Sequence, residues 1–289
     1  MILDIEGKSL GPGEKPLLIA ELSANHDRDL EQALALVEIA AEAGWDCLKL
    51  QTYTADSLTL DSDHPSMAVD PVWGRTNLYA LYRDAAMPME FHKPLFDRAR
   101  ALGMVPFTSV YDPRDLPFTE ALDCPIYKIA SFEMTFDDLL REIAATGKPV
   151  IMSTGMAELS EVDHAIEVLG RHGAGPVILL HCVSAYPADL VSLNLRAMET
   201  LAPRCDGMVG FSDHTIGSRA ALAAAAMGAV AIEKHITNDT AREGPDHRFS
   251  ATPDVLRDIA EGVAEIHVAR GVPEKATVAE EAENKQLDA

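Results

Sequence analysis

Cys47-Leu48-Lys49-Leu50-Gln51 reads as a strand with its two polar side chains on one face. Alternate strand residues point to opposite sides, so Lys49 and Gln51 stand together and the leucines stand opposite. Seven further runs are nearly continuously apolar: Leu17–Glu21, Met104–Ser109, Ile126–Ala130, Val150–Ser153, Val177–Cys182, Met208–Ser212 and Ala229–His235. Such runs suit strands buried on both faces, as in a parallel sheet. Helical patterns fill the gaps, clearest at Asp29–Ala43, Glu90–Leu102, Phe136–Thr146, Glu161–Arg171, Asn194–Leu201, Ser218–Met227 and Pro253–Val268, with a short one near Arg114–Leu122. Asp29 can cap the first, with Gln32 at the capping-box position and Gly44 ending it.

Strands alternating with helices predict an α/β fold, and eight of them predict a closed (β/α)8 TIM barrel, which takes about 250 residues. The chain has 289. An open doubly wound sheet is the other arrangement. No Gly-x-Gly-x-x-Gly follows the first strand, which weakens its dinucleotide-binding version. Met1–Leu10 is expected to form a short β extension closing the barrel floor. Thr52–Met89 is too long for an ordinary connection and, with Trp73, Tyr79 and Tyr82, reads as a lid. The expected organisation is a barrel over 1–270 and a polar, acidic C-terminal tail over 271–289.

A net charge of −22 argues against nucleic acid or an anionic membrane as partner, and it obliges any anion site to concentrate its own positive charge. No apolar run reaches the ~18 residues of a membrane span, and Met1–Glu6 lacks the features of a signal peptide. Cys47, Cys124, Cys182 and Cys205 are scattered, which fits a reducing cytoplasm.

Polar residues gather at the C-terminal ends of the predicted strands, the face on which barrel active sites lie. Three of only nine lysines, Lys49, Lys128 and Lys234, sit there. A lysine in a buried strand must either pair with a carboxylate or meet an anion. Lys49 and Lys128 together point to an anion site, whereas Lys234 is expected to pair with its neighbour Glu233. Ser109, Ser131, Ser153, Ser184 and Ser212 end five successive strands or begin their loops. One such serine is usually a helix cap, but five in register can surround a phosphate. His214 and His235 end neighbouring strands beside Glu21, and two imidazoles so placed can share a divalent ion, with carboxylate or water completing its shell. His181 lies inside an apolar strand and reads as structural. Gly244-Pro245-Asp246-His247 follows the last strand and aims Asp246 at the mouth.

At these positions the sequence resembles the sialic acid synthase family, the synthases of N-acetylneuraminic, legionaminic and pseudaminic acids. The resemblance is carried, in order, by Ile19-Ala20-Glu21-Leu22-Ser23-Ala24-Asn25-His26, Lys49-Leu50-Gln51-Thr52-Tyr53-Thr54, Tyr127-Lys128-Ile129-Ala130-Ser131-Phe132-Glu133, Ser153-Thr154-Gly155-Met156, Ser184-Ala185-Tyr186-Pro187, Phe211-Ser212-Asp213-His214-Thr215, Ile232-Glu233-Lys234-His235 and Gly244-Pro245-Asp246-His247-Arg248-Phe249-Ser250. It covers Leu17 to Ser250. Leu22–His26 and Thr52–Leu60 look most like the pseudaminic acid branch, and Gly244–His247 like the other two.

The resemblance implies a transferase of carbohydrate biosynthesis that condenses phosphoenolpyruvate with an N-acetylated amino-sugar aldehyde and releases phosphate. It implies phosphoenolpyruvate binding by Lys49, Ser109, Lys128, Ser131, Ser153, Ser184 and Ser212, a divalent metal (Mn²⁺, with Co²⁺ or Mg²⁺ as alternatives) on His214 and His235, and contact of Glu21, Gln51, Glu133, Tyr186 and Asp246 with the sugar and reacting carbons. Ser109 and Ser184 stand where some members carry Thr and Asn. Glu21 is the candidate for handling the attacking water. The family works as a homodimer in which an antifreeze-like domain caps the partner's site and contributes an arginine. This chain is expected to lack that C-terminal domain, its place being taken by Thr52–Met89 with Arg75, by the tail after Val268, or by a separate cap-domain protein. The competing readings are a Schiff-base lysine aldolase and a non-catalytic sugar-phosphate-binding subunit.

Overall fold

The structure, a computed structural model, describes residues 1–69, 75–281 and 285. Trp73, assigned to the lid, lies outside the described residues, as do Ala282 and Glu283 of the tail. A two-stranded ribbon comes first, β1 (Leu3–Ile5) against β2 (Lys8–Leu10). Glu6 and Gly7 both have positive φ, as a two-residue turn matching strand twist requires. Ile5 and Leu10 anchor the ribbon in the core.

Eight parallel strands follow: β3 (Leu17–Glu21), β4 (Cys47–Thr52), β5 (Val105–Val110), β6 (Tyr127–Ile129), β7 (Val150–Ser153), β8 (Val177–Cys182), β9 (Val209–Asp213) and β10 (Ala231–His235). They close into a barrel in sequence order, with β10 pairing β3. That closure sets His235 beside Glu21, as the strand reading expects. In chain order the helices are α1 (Leu30–Glu42), α2 (Ala55–Leu58) and α3 (Leu78–Ala85) of the insertion, then α4 (Met89–Ala101), α5 (Leu116–Glu120), α6 (Asp137–Ala145), α7 (Leu159–Arg171), α8 (Ala197–Leu201), α9 (Arg219–Ala226) and α10 (Pro253–Arg270), all but α2 and α3 forming the outer ring. The Asp29 carboxylate accepts from the amides of Glu31 and Gln32, satisfying two N–H groups that α1 cannot bond internally. The helix expected over Asn194–Leu201 is shorter. Asn194 has φ +42°, a left-handed conformation that no α-helix contains, so α8 starts only at Ala197.

The insertion folds over the mouth. Asn77 caps α3, Tyr79 Oη donates to Asp56 on α2, and Arg28 donates to the carbonyls of Arg83 and Ala86. Beneath it, His92 of α4 is fully buried, with Nε2 3.0 Å from Thr52 Oγ1, which lies 2.8 Å from Thr108 Oγ1.

Burial pushes the His92 and His26 imidazoles down to about 4. Unfolded imidazoles titrate near 6.5, so between these values the unfolded chain binds more protons. Stability is therefore full above about pH 6.5 and falls towards pH 4, by up to about 1.4 kcal/mol per pH unit for each histidine. Urea unfolding between pH 6.5 and 4.5 should show a shallower slope for His92→Gln by about that amount, and parallel slopes would refute the buried neutral imidazole.

Candidate active site

A cavity of about 410 Å³ opens at the C-terminal end of the barrel, within the range of small-molecule sites. Glu21, Lys49, Gln51, Lys128, Ser131, Glu133, Ser153, Tyr186, Ser212, His214, His235 and Asp246 line it, so the structure brings together most of the residues singled out by strand position. The reason is alternation: each barrel strand turns every second side chain inward, and its last inward residue reaches the mouth.

At the bottom lie four buried charges. Lys49 Nζ is 2.6 Å from Glu21 Oε2 and 3.5 Å from Glu233 Oε1, and Lys128 Nζ is 3.1 Å from Glu233 Oε1. None of the four residues is more than 3% exposed. Ser109 Oγ accepts from Lys49, Ser212 Oγ donates to Glu233, and Gln51 donates to Glu21 at 2.6 Å. The two lysines therefore both pair with carboxylates and face the cavity. Burial raises the Glu21 carboxyl, and it also acts on Glu233, but there Lys128 and Lys49 prevail and hold the carboxyl down to about 2. Burial pulls both lysines down. The two carboxylates outweigh it at Lys49, which ends above its ordinary value, and Lys128 ends below.

Lys234 is a correction. The next strand position points outward, so Lys234 pairs not with Glu233 but with Asp213 Oδ2 at 2.7 Å and donates to the Thr215 carbonyl at 2.7 Å. Asp213 in turn accepts from the Thr215 amide and hydroxyl. This buried pair fixes the chain on either side of His214.

A hydroxyl cradle forms one wall. Ser131 Oγ accepts from the Gly155 amide at 3.1 Å and lies 3.3 Å from Cys182 Sγ. A Cβ on Gly155 would collide with Ser184 Oγ and come within 2.8 Å of Cys182 Sγ and 3.0 Å of Ser131 Oγ, so only glycine leaves this space open. Ser153 Oγ and Ser184 Oγ are buried without hydrogen-bond partners. Ser184 sits behind the cradle and Ser109 behind Lys49, so neither lines the cavity itself.

The neighbouring wall, on β9 and β10, carries the histidines, with ring centres 5.6 Å apart. His214 Nδ1 donates to the Val183 carbonyl at 2.8 Å, and burial pushes this imidazole down to about 3, so it is neutral. His235 Nδ1 is 3.1 Å from Ser23 Oγ and 3.5 Å from Asp246 Oδ2. Both Nε2 atoms lack a protein partner among the described residues. Two anchored imidazoles with free Nε2 atoms fit two ligands of a divalent ion. Among the described residues no cluster of three such ligands exists, and Asp246 stands on the Nδ1 side of His235, so the remaining positions would fall to water or substrate. Tyr186 covers His214, their ring centres 4.4 Å apart. His181 points outward and bonds the Leu193 carbonyl, a structural role.

Sequence reasoning left out Glu233, Tyr53, Tyr111 and Cys182, all of which line the cavity, and named Tyr82, which also lines it, only as part of the lid. The first four were readable: Glu233 precedes His235 by two, Cys182 precedes Ser184 by two, and Tyr53 and Tyr111 follow Gln51 and Ser109 by two. Tyr82 comes from the insertion with Leu58, Leu81 and Ala85, a placement that no local pattern encodes. Arg75 is ion-paired with Asp84 and is not among the lining residues.

The NeuB family model matches residues 36–275. The chain is 39% identical to the pseudaminic acid synthase of Helicobacter pylori over 90% of its own length and 77% of the relative's. It is 34% identical to an N,N'-diacetyllegionaminic acid synthase of Campylobacter jejuni, covering 89% and 78%. The crystal structure of an N-acetylneuraminic acid synthetase from Leptospira borgpetersenii, in complex with citrate, aligns with a TM-score of 0.89 at 28% identity, over 99% of this chain and 96% of that one. The matches span the strands, the cavity and most of the sequence, and the chain belongs to the NeuB family.

Proposed function

We propose that this chain is a nonulosonic acid synthase: it joins phosphoenolpyruvate to the aldehyde carbon of an N-acetylated amino sugar, releases phosphate, and makes a nine-carbon acid of the pseudaminic type. The observation that carries the reading is one cavity with three walls of different chemistry: buried paired charges below, unsatisfied hydroxyls around Gly155 on one side, and two anchored imidazoles on the neighbouring one. Family membership and the names of the relatives support the same reaction class.

The paired charges limit how phosphoenolpyruvate can be held. Glu21 and Glu233 already offset Lys49 and Lys128, so the floor offers no surplus positive charge. Ser131 and Ser153, which line the cavity, hold phosphate oxygens by hydrogen bonds without adding charge, with Ser184 behind Gly155 and Ser212 on Glu233 supporting them. A divalent ion on His214 and His235, Mn²⁺ or else Co²⁺ or Mg²⁺, would supply Lewis-acid stabilisation of charge on the aldehyde oxygen. Tyr186 and Asp246 flank the sugar. Glu21 orients or deprotonates the water that adds to the former enol carbon, after which phosphate leaves by C–O cleavage.

One observation favours the Schiff-base aldolase: burial and neighbouring Lys49 lower Lys128, as a nucleophilic lysine needs. The Glu233 ion pair opposes it, and an aldolase has no use for the histidine pair. Borohydride with pyruvate should leave the protein unlabelled, and a lysine adduct would establish the aldolase.

The direct test is phosphate release from phosphoenolpyruvate with a panel of N-acetylated amino sugars. Chelation with EDTA should abolish it and Mn²⁺, Co²⁺ or Mg²⁺ restore it. His214→Ala should lose bound metal and activity while staying folded. Full activity after verified metal removal would end the metal assignment.

Lys128→Met alone should cost up to about 3–5 kcal/mol of stability, because it leaves the buried Glu233 carboxylate only Lys49 at 3.5 Å and the Ser212 hydroxyl. Lys128→Met with Glu233→Gln should recover most of that, yet still bind phosphoenolpyruvate about 2–4 kcal/mol more weakly than the native chain. Native affinity in the double variant, read by calorimetry, would remove Lys128 from the anion site.

A further inference from the structure

Glu133 is the one lining carboxyl that the chemistry above leaves without a task. It ends the short turn after β6, and of the floor charges Lys128 acts on it, lowering the carboxyl by less than burial raises it. Its Oε2 is buried without a hydrogen-bond partner, and among the described residues no ion pair holds its carboxyl. The Tyr82 and Tyr111 rings share this part of the cavity. Burial raises the carboxyl to about 7, so near neutral pH both its acidic and its basic form are populated. By contrast Glu21 and Glu233 are engaged with lysines, and Asp246 with His235.

A task of this kind exists if the acceptor is an amino-sugar aldehyde, the reading on which this inference rests. Such aldehydes close on their own hydroxyl groups, so the sugar arrives as a cyclic hemiacetal with no electrophilic carbonyl. We propose that the enzyme opens the ring of its own acceptor at Glu133. The protonated carboxyl gives its proton to the ring oxygen from one oxygen, while its other oxygen takes the proton of the anomeric hydroxyl. The bond between C1 and the ring oxygen breaks with its electron pair on that oxygen, and the C1 carbonyl forms. Glu133 ends protonated on its other oxygen, so the step is an isomerisation that needs no co-reactant. The freed aldehyde then lies in the same cavity as the histidine pair, and the tyrosine rings limit competing water.

The test uses the amino sugar that supports phosphate release, labelled with carbon-13 at C1, with the full chain and no phosphoenolpyruvate. Exchange NMR should show the two anomers interconverting at least tenfold faster with the native enzyme than in buffer, and Glu133→Gln should lose that acceleration. In phosphate release, the deficit of Glu133→Gln should shrink at least tenfold when the sugar is replaced by an open-chain analogue whose ring-closing hydroxyl is methylated. No acceleration by the native enzyme, or an equal deficit with both acceptors, overturns the proposal. Absence of phosphate release by the native enzyme with either acceptor would instead sink the synthase reading itself.

Discussion

Two lysines and two glutamates sealed in the barrel floor set the terms for the rest of the site. Taking an ion out of water costs several kcal/mol, so each of the four is tolerable only beside its partners. Lys49 on β4, Glu21 on β3, Lys128 on β6 and Glu233 on β10 come from strands across the barrel and over its closure. A one-residue slip of any of these strands would turn its charge towards the helices and strand the others. The quartet thus ties register to electrostatics, and the ends of the same strands carry Gln51 and His235 to the mouth.

The same two-residue period explains what could be read in advance. Eight apolar runs with polar ends predict the barrel, because a parallel strand is buried on both faces and only its terminal inward residues can be polar. It also marks Lys49 and Gln51 as neighbours, and His214 with His235 as a facing pair. Where adjacency replaced alternation, the reading failed. Glu233 and Lys234 are consecutive, so they point to opposite sides of the sheet and cannot share an ion pair within the barrel. Lys234 instead finds Asp213, which is likewise one step out of phase with Ser212 and His214.

What was not legible depends on contacts distant in sequence. Tyr82 reaches the cavity because α3 is tied down by Arg28 through two carbonyls, an interaction 55 and 58 residues apart. No periodicity in Thr52–Met89 announces that Leu81, Tyr82 and Ala85 face inward. The cradle at Gly155 was hidden for a similar reason: its value lies in the absence of a side chain where Ser131, Cys182 and Ser184 from two other strands converge. A glycine's function of that kind appears only once its neighbours are placed.

Satisfied and unsatisfied groups divide the cavity in a way that bears on its chemistry. A buried polar atom without a partner costs about 1–3 kcal/mol, so folding alone gives no reason to keep several of them together. Here Ser153 Oγ, Glu133 Oε2 and Glu233 Oε2 are left unbonded around one space, with Ser184 Oγ just behind it, while the lysines beside them are ion-paired and the His Nδ1 atoms anchored. The engaged groups hold geometry, and the unengaged ones hold capacity for a ligand. Substrate oxygens that fill those vacant bonds would recover in binding what folding left unmade.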